Sequence, residues 1–128
     1  MGKGYLIDSN AVIDYLSGKL HPKGMNFMHE IVNSIPCISV ITQIEVLGYK
    51  ANQEDYKLLT CFVNDAVVFE LSKEVVEKTI RIRKDNKIKT LDAIIAATAL
   101  ATESIIITRN TKDFEKIEGL EAINPYEL

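Results

Sequence analysis

The chain has 128 residues, of which 47% are hydrophobic and 26% charged, with a formal net charge of −3. That balance fits one compact domain over residues 1–128 and excludes a disordered polymer. It also argues against a protein that grips nucleic acid through a globally basic surface.

No apolar run approaches the roughly 20 residues of a membrane span. The start Met1-Gly2-Lys3-Gly4-Tyr5 lacks the apolar segment of a signal peptide, so a cytoplasmic location without membrane attachment is expected. In chain order, residues 4–7 read as a strand and 11–17 as a helix, punctuated by Gly18 and Pro22. A helix over 23–33, a strand over 37–40 and helices over 43–49 and 53–64 follow. The second half reads as a strand over 66–69, helices over 73–85 and 91–101, a strand over 104–107, a short helix over 111–116 and a last strand over 121–123 before Pro125. The strand candidates are nearly all apolar, the mark of strands buried on both faces of a parallel sheet with helices on each side. The expected fold class is α/β.

Cys37 and Cys61 have no companion cysteine at metal-ligand spacing and read as reduced, buried small residues. His29-Glu30-Ile31-Val32-Asn33 approaches a zinc-protease helix but carries asparagine where the second histidine ligand must be, so that reading fails. Lys78, Arg81, Arg83, Lys84, Lys87 and Lys89 form a dense basic stretch, either a solvated helix face or a phosphate-contacting one.

The acids carry the more specific signal. Asp8 follows the first strand and opens a helix, and Glu45 is expected in the first turn of the helix after the second strand. Asp113 follows the fourth strand in the same way. Asp92 is expected in the first turn of a helix whose body, Ala93-Ile94-Ile95-Ala96-Ala97, is uncharged. Each alone fits a helix cap: Asp8-Ser9-Asn10 an N-cap region, Thr42-Gln43-Ile44-Glu45 a capping box. Jointly they imply more, because acids that follow parallel strands share the sheet edge where α/β proteins bind ligands. Carboxylates gathered there repel one another unless they take up protons or a hard cation neutralises them. Mg2+ or Mn2+ suits such oxygen donors and keeps water molecules that can attack phosphate.

Four segments in this order carry a family resemblance: Leu6-Ile7-Asp8-Ser9-Asn10, Ser39-Val40-Ile41-Thr42-Gln43-Ile44-Glu45-Val46-Leu47, Asp92-Ala93-Ile94-Ile95-Ala96-Ala97-Thr98-Ala99 and Ile107-Thr108-Arg109-Asn110-Thr111-Lys112-Asp113-Phe114. From Tyr5 to about Leu120 the chain resembles the PIN-domain nucleases and, within them, the VapC-type toxins of toxin–antitoxin pairs. The resemblance implies a three-layer α/β/α sandwich around a mostly parallel sheet of four to five strands. It implies a Mg2+- or Mn2+-dependent endoribonuclease site of Asp8, Glu45, Asp92 and Asp113, with one or two ions held by Asp8, Asp92 and Asp113. Asn110 stands where many relatives have aspartate, so either Asn110 or Asp113 completes the set. Asn10, Thr42, Thr108 and Asn110 would support the site, Thr108 and Asn110 by orienting ligands or waters. Arg81, Arg83, Lys87 and Lys89 would then hold RNA phosphates. A small antitoxin partner that covers the site, with an arginine toward the carboxylates, and a homodimer are further implications of the resemblance.

Two alternatives stand beside it. A phospho-accepting receiver domain shares the length and the α/β order but needs paired acids after the first strand, where this chain has Asp8-Ser9, and an aspartate after the third, where it has Glu70-Leu71-Ser72. A catalytically inactive PIN-fold module that only binds RNA or protein is the other.

Overall fold

The structure is a computed structural model that describes residues 3–128. Five short parallel strands form one sheet: β1 (Gly4–Ile7), β2 (Cys37–Ser39), β3 (Val67–Phe69), β4 (Ser104–Ile107) and β5 (Ala122–Ile123), in the spatial order β3-β2-β1-β4-β5. Between them run α1 (Ser9–Leu16), α2 (Pro22–Asn33), α3 (Val40–Leu47), α4 (Gln53–Asp65), α5 (Lys73–Asp85), α6 (Thr90–Ala101) and α7 (Thr111–Glu115), and a 3-10 turn, Pro125–Glu127, follows β5. In receiver-type sheets β1 lies between β2 and β3; here it lies between β2 and β4, which removes that alternative on topology. The expected α/β/α layering is met, and the sheet is wholly parallel.

Alternation along the strands builds two cores. Ile7 and Ile107 face one side, where they pack with Val12 of α1, Met28 of α2, Val46 of α3 and Phe62 of α4. Leu6 and Ile106 face the other, against Val75 and Ile82 of α5, the alanines of α6 and Phe114 of α7. Leu6, Ile7, Ile106 and Ile107 are all fully buried, each contributing roughly 1.5–3 kcal/mol of transfer free energy. This explains the unbroken apolar runs in the sequence: a strand covered on both faces has no solvent side to make polar. The small buried side chains Ala93, Ala96, Ala97 and Ala99 let α6 settle against both α5 and β4.

Three details differ from the sequence reading. First, α3 begins at Val40 rather than Gln43, because the Ser39 hydroxyl accepts the backbone N–H groups of Ile41 (3.1 Å) and Thr42 (3.2 Å) and ends the strand there. The expected capping box at Thr42 to Glu45 therefore does not form, and Glu45 sits in the second turn of α3. Second, Cys61 is exposed on α4 rather than buried, and Cys37 is partly covered; both thiols are free. Third, a 3-10 turn to which the sequence reading assigns no element follows β5, and it packs on α2 at Gly24, where a Cβ would clash with the carbonyl oxygen of Pro125.

Because one buried hydroxyl caps the helix that carries Glu45, Ser39→Ala should cost about 1 kcal/mol of folding stability, up to about 2. Urea denaturation checks this; an unchanged midpoint would show that the cap does not hold α3.

Candidate active site

The sequence of strands first proceeds outward from β1 through β2 to β3, then returns to β4 on the other side of β1. The reversal leaves a crevice outside the carboxyl ends of β1 and β4, the position at which open α/β sheets receive ligands. Asp8 follows β1 and Thr108 follows β4, with Ile7 paired to Ile107 directly beneath them.

Asp8 is buried, at 6% exposure. Its Oδ1 accepts the Ser9 backbone N–H at 2.8 Å, so the residue does cap α1. Its Oδ2 serves a different purpose, accepting the Thr108 hydroxyl at 2.9 Å and the Asn10 amide at 3.5 Å. The Thr108 oxygen in turn accepts the Asn110 backbone N–H at 3.1 Å, which directs the threonine proton toward Asp8. Burial raises the Asp8 pKa, and the bonds from Thr108, Ser9 and Asn10 offset only part of that effect.

Glu45 reaches the same region from α3, where its Oε1 accepts the Ser9 hydroxyl at 3.1 Å. Partial desolvation raises its pKa, the Ser9 bond lowers it, and the charges of Asp8 and Asp92 raise it further. Asp92, third residue of α6, is likewise raised, first by desolvation and then by the charges of Asp8 and Asp113, with Lys89 opposing. The charges of Asp8 and Asp92 thus reach Glu45, and those of Asp8 and Asp113 reach Asp92. Asp113 lies in the first turn of α7 and accepts the Asn110 side-chain amide at 2.5 Å, so the two residues that competed for one role in the sequence reading are hydrogen-bonded to each other.

Among the described residues no three acidic, histidine or cysteine side chains close into a preformed metal cage. Mg2+ does not require one, since it is commonly held by one or two carboxylates and keeps several waters. An all-oxygen donor set of mutually repelling carboxylates fits such an ion. Thr42 lies one turn before Glu45 on α3, and its buried hydroxyl has no hydrogen-bond partner among the described residues.

The basic stretch divides. Arg83, Lys87 and Lys89 line a cleft of about 470 Å3 together with Asp92 and Asp113, and the Arg83 guanidinium also donates to the Thr90 hydroxyl at 2.6 Å. Arg81 points elsewhere, into a groove with Lys78 and Lys116, because side chains two apart on a helix do not share a face. Sequence reasoning also passed over Ser9, whose hydroxyl joins α1 to Glu45. It passed over Arg109 and Tyr126 as well. In the sequence Ser9 reads only as part of the Asp8-Ser9-Asn10 cap.

Strand order and the acids that follow the strands together define a doubly wound α/β protein with carboxylates at its topological switch point. The sequence profile of the PIN domain matches residues 5–120, and the chain belongs to that family of nucleases. A chain in a toxin–antitoxin complex from Klebsiella pneumoniae is 30% identical, with a TM-score of 0.79 over 98% of this chain and 100% of that one. Two further similar folds are in DNA-bound VapBC from Salmonella typhimurium (22% identity, TM-score 0.78, 97% and 99% covered) and FitAcB from Neisseria gonorrhoeae (19%, 0.76, 97% and 99%). No curated protein sequence gives a significant match.

Raised carboxylate pKa values have a definite consequence for stability. An acid that binds its proton more readily in the folded chain than in the unfolded one favours folding at low pH, and that contribution is lost as pH rises through the folded value. In metal-free protein, Asp92→Asn should therefore gain stability over wild type as pH rises from the ordinary aspartate value of 3.8 toward neutrality. Thermal unfolding across that range measures it; a difference independent of pH would show that Asp92 is not under charge stress.

Proposed function

We propose that this chain is a Mg2+- or Mn2+-dependent endoribonuclease and the toxin half of a toxin–antitoxin pair. The observation that carries the reading is the convergence of acids at the carboxyl end of β1, where Ser9 donates its backbone N–H to Asp8 and its hydroxyl to Glu45, and where the charge of Asp8 raises the pKa of both Glu45 and Asp92. Side chains separated by most of the chain are held at a charge cost that a divalent ion would relieve.

In this reading Asp8, Asp92 and Asp113 offer oxygen ligands, with Thr108 fixing which face of Asp8 remains available. When bound, one or two such ions supply a Lewis acid that stabilises charge on the scissile phosphate and makes water more acidic. Glu45, hydrogen-bonded to Ser9 and with a raised pKa, would take the proton from the attacking water at its carboxylate. Water oxygen bonds to phosphorus, the bond to O3′ breaks, the leaving O3′ takes a proton from solvent, and the products are a 5′-phosphate and a 3′-hydroxyl. No side-chain nucleophile is needed. Arg83, Lys87 and Lys89 line the cleft beside Asp92 and would pair with backbone phosphates, while Asn10 and Asn110 steady Asp8 and Asp113.

The partner half of the reading rests on the similar Klebsiella chain, which comes from a toxin–antitoxin complex. A small antitoxin that covers the crevice with an arginine would meet carboxylates suited to bidentate pairing. The exposed apolar side chains Ile44, Ile80 and Leu91, on α3, α5 and α6, of which α6 packs against the other two, support a homodimer. No described helix is long and apolar enough to cross a membrane, and RNA as substrate would put the activity in the cytoplasm.

Asp8→Asn and Asp92→Asn should each lower Mn2+-dependent RNA cleavage by about 10²-fold or more, as loss of several kcal/mol of charge stabilisation requires, while the circular dichroism spectrum stays native. Full cleavage by both variants would refute the site. Replacing Arg83, Lys87 and Lys89 together by alanine should weaken RNA binding and reduce the log–log salt slope by about 0.7 for each single-strand phosphate no longer neutralised, with Arg81→Ala having the smaller effect. An unchanged slope in the triple variant would end the phosphate assignment.

A further inference from the structure

The C-terminal turn ends within reach of the crevice. The Tyr126 hydroxyl faces two acceptors on α1, the Asn10 carbonyl oxygen at 3.1 Å and the Asp14 carboxylate, which share its single proton. Burial first, then the hydrogen bond and charge of Asp14, push the phenol well above its ordinary range, so it remains a donor at any physiological pH. The Tyr126 ring lies 5.3 Å beneath the Arg109 guanidinium, which also reaches Asp14 at 3.7 Å. The Arg109 backbone N–H donates to the Asn10 side-chain oxygen at 3.2 Å. Asn124 completes the circuit: its amide donates to the Arg109 carbonyl at 3.2 Å, and its side-chain oxygen caps the turn at the Tyr126 N–H.

Two segments meet in this circuit, the first turn of α1 and the stretch Thr108 to Asn110 after β4. They are the segments that supply the hydrogen bonds to Asp8 Oδ2, from Asn10 and Thr108. Backbone strand pairing fixes Ile7 against Ile107 but stops there. Beyond the strand ends the described hydrogen bonds between the two segments run through the Asp8 amide to Ile107, the Asp8–Thr108 bond and the Asn10–Arg109 bond, with Tyr126 and Asn124 tying both from outside. A chain end that only sealed the core could do so with apolar groups. This one sets the Tyr126 phenol and the Asn124 amide against Asn10, Asp14 and Arg109.

The geometry points to Tyr126 as a positioning residue that, through Asn10 and Arg109, sets the aim of the Asp8 carboxylate. The inference rests on the proposed role of Asp8 in cation binding. It assigns the C-terminal turn a part in the site that lies outside the segments carrying the family resemblance.

Tyr126→Phe keeps the ring under Arg109 and removes only the hydroxyl, so it separates positioning from packing. Mn2+ binding to the full chain, followed by calorimetric titration, should weaken about tenfold, the loss typical when a residue supporting a metal ligand is removed. At saturating Mn2+, kcat on RNA should fall by a similar factor while KM stays within about twofold and the thermal midpoint within about 2 °C. Asn124→Ala, which cuts the tie to Arg109 by another route and leaves the phenol intact, should move Mn2+ affinity in the same direction by about threefold.

Native Mn2+ affinity in Tyr126→Phe, with or without a lowered thermal midpoint, would overturn the inference, and native affinity in Asn124→Ala would do so if Tyr126→Phe does not fold. Asp8→Asn run in parallel keeps the two readings apart. Undiminished Mn2+ binding there removes the metal site itself, whereas lost binding in Asp8→Asn with native binding in Tyr126→Phe removes only the positioning role.

Discussion

A single hydrogen bond between residues 100 positions apart, from the Thr108 hydroxyl to Asp8 Oδ2, joins the fold to its site. It can form only where β1 and β4 are neighbours, and they are neighbours only because the order of strand addition reverses after β3. A buried carboxylate without donors would be costly enough to take up a proton or unfold its surroundings. Three donors around Asp8 make it tolerable without making it comfortable, since burial still prevails in its pKa. Stability elsewhere offsets that stress: four fully buried aliphatic side chains directly beneath the crevice anchor the strand ends that carry Asp8 and Thr108.

The layering was legible because strands covered on both faces cannot hide their hydrophobicity. Residues 4–7 and 104–107 were placed to the residue, and the sheet-edge position of Asp8 followed from topology rules alone. Glu45 was harder. Its helix was expected to begin three residues late because Val40, a β-branched residue, reads as strand, whereas the Ser39 hydroxyl outweighs that propensity by satisfying two backbone donors at once. Such caps depend on one side-chain rotamer, and periodicity does not register them.

The basic stretch shows the complementary limit. Charge density along a sequence says that cations are present, but a helix distributes them around its axis, so Arg83 and Arg81 separate into different grooves. The C-terminal turn was hidden for another reason. Its ties to Asn10, Asp14 and Arg109 bridge residues far apart in the chain, and Asn124-Pro125-Tyr126 has no pattern of its own beyond a proline that ends a strand.

Net charge is a poor guide to what this surface can hold. The chain is acidic overall at −3, yet the cleft beside Asp92 and Asp113 is walled by Arg83, Lys87 and Lys89. A polyanion approaching that cleft meets attraction at its rim and repulsion from its carboxylates, and screening at physiological salt confines both to about 8 Å. Which one prevails is decided locally, by how far the carboxylate charge is neutralised. Under the proposed function the two occupants would be coupled: a divalent ion at the acids would remove the repulsion that opposes a phosphate at the bases, and by linkage a phosphate held there would strengthen retention of the ion.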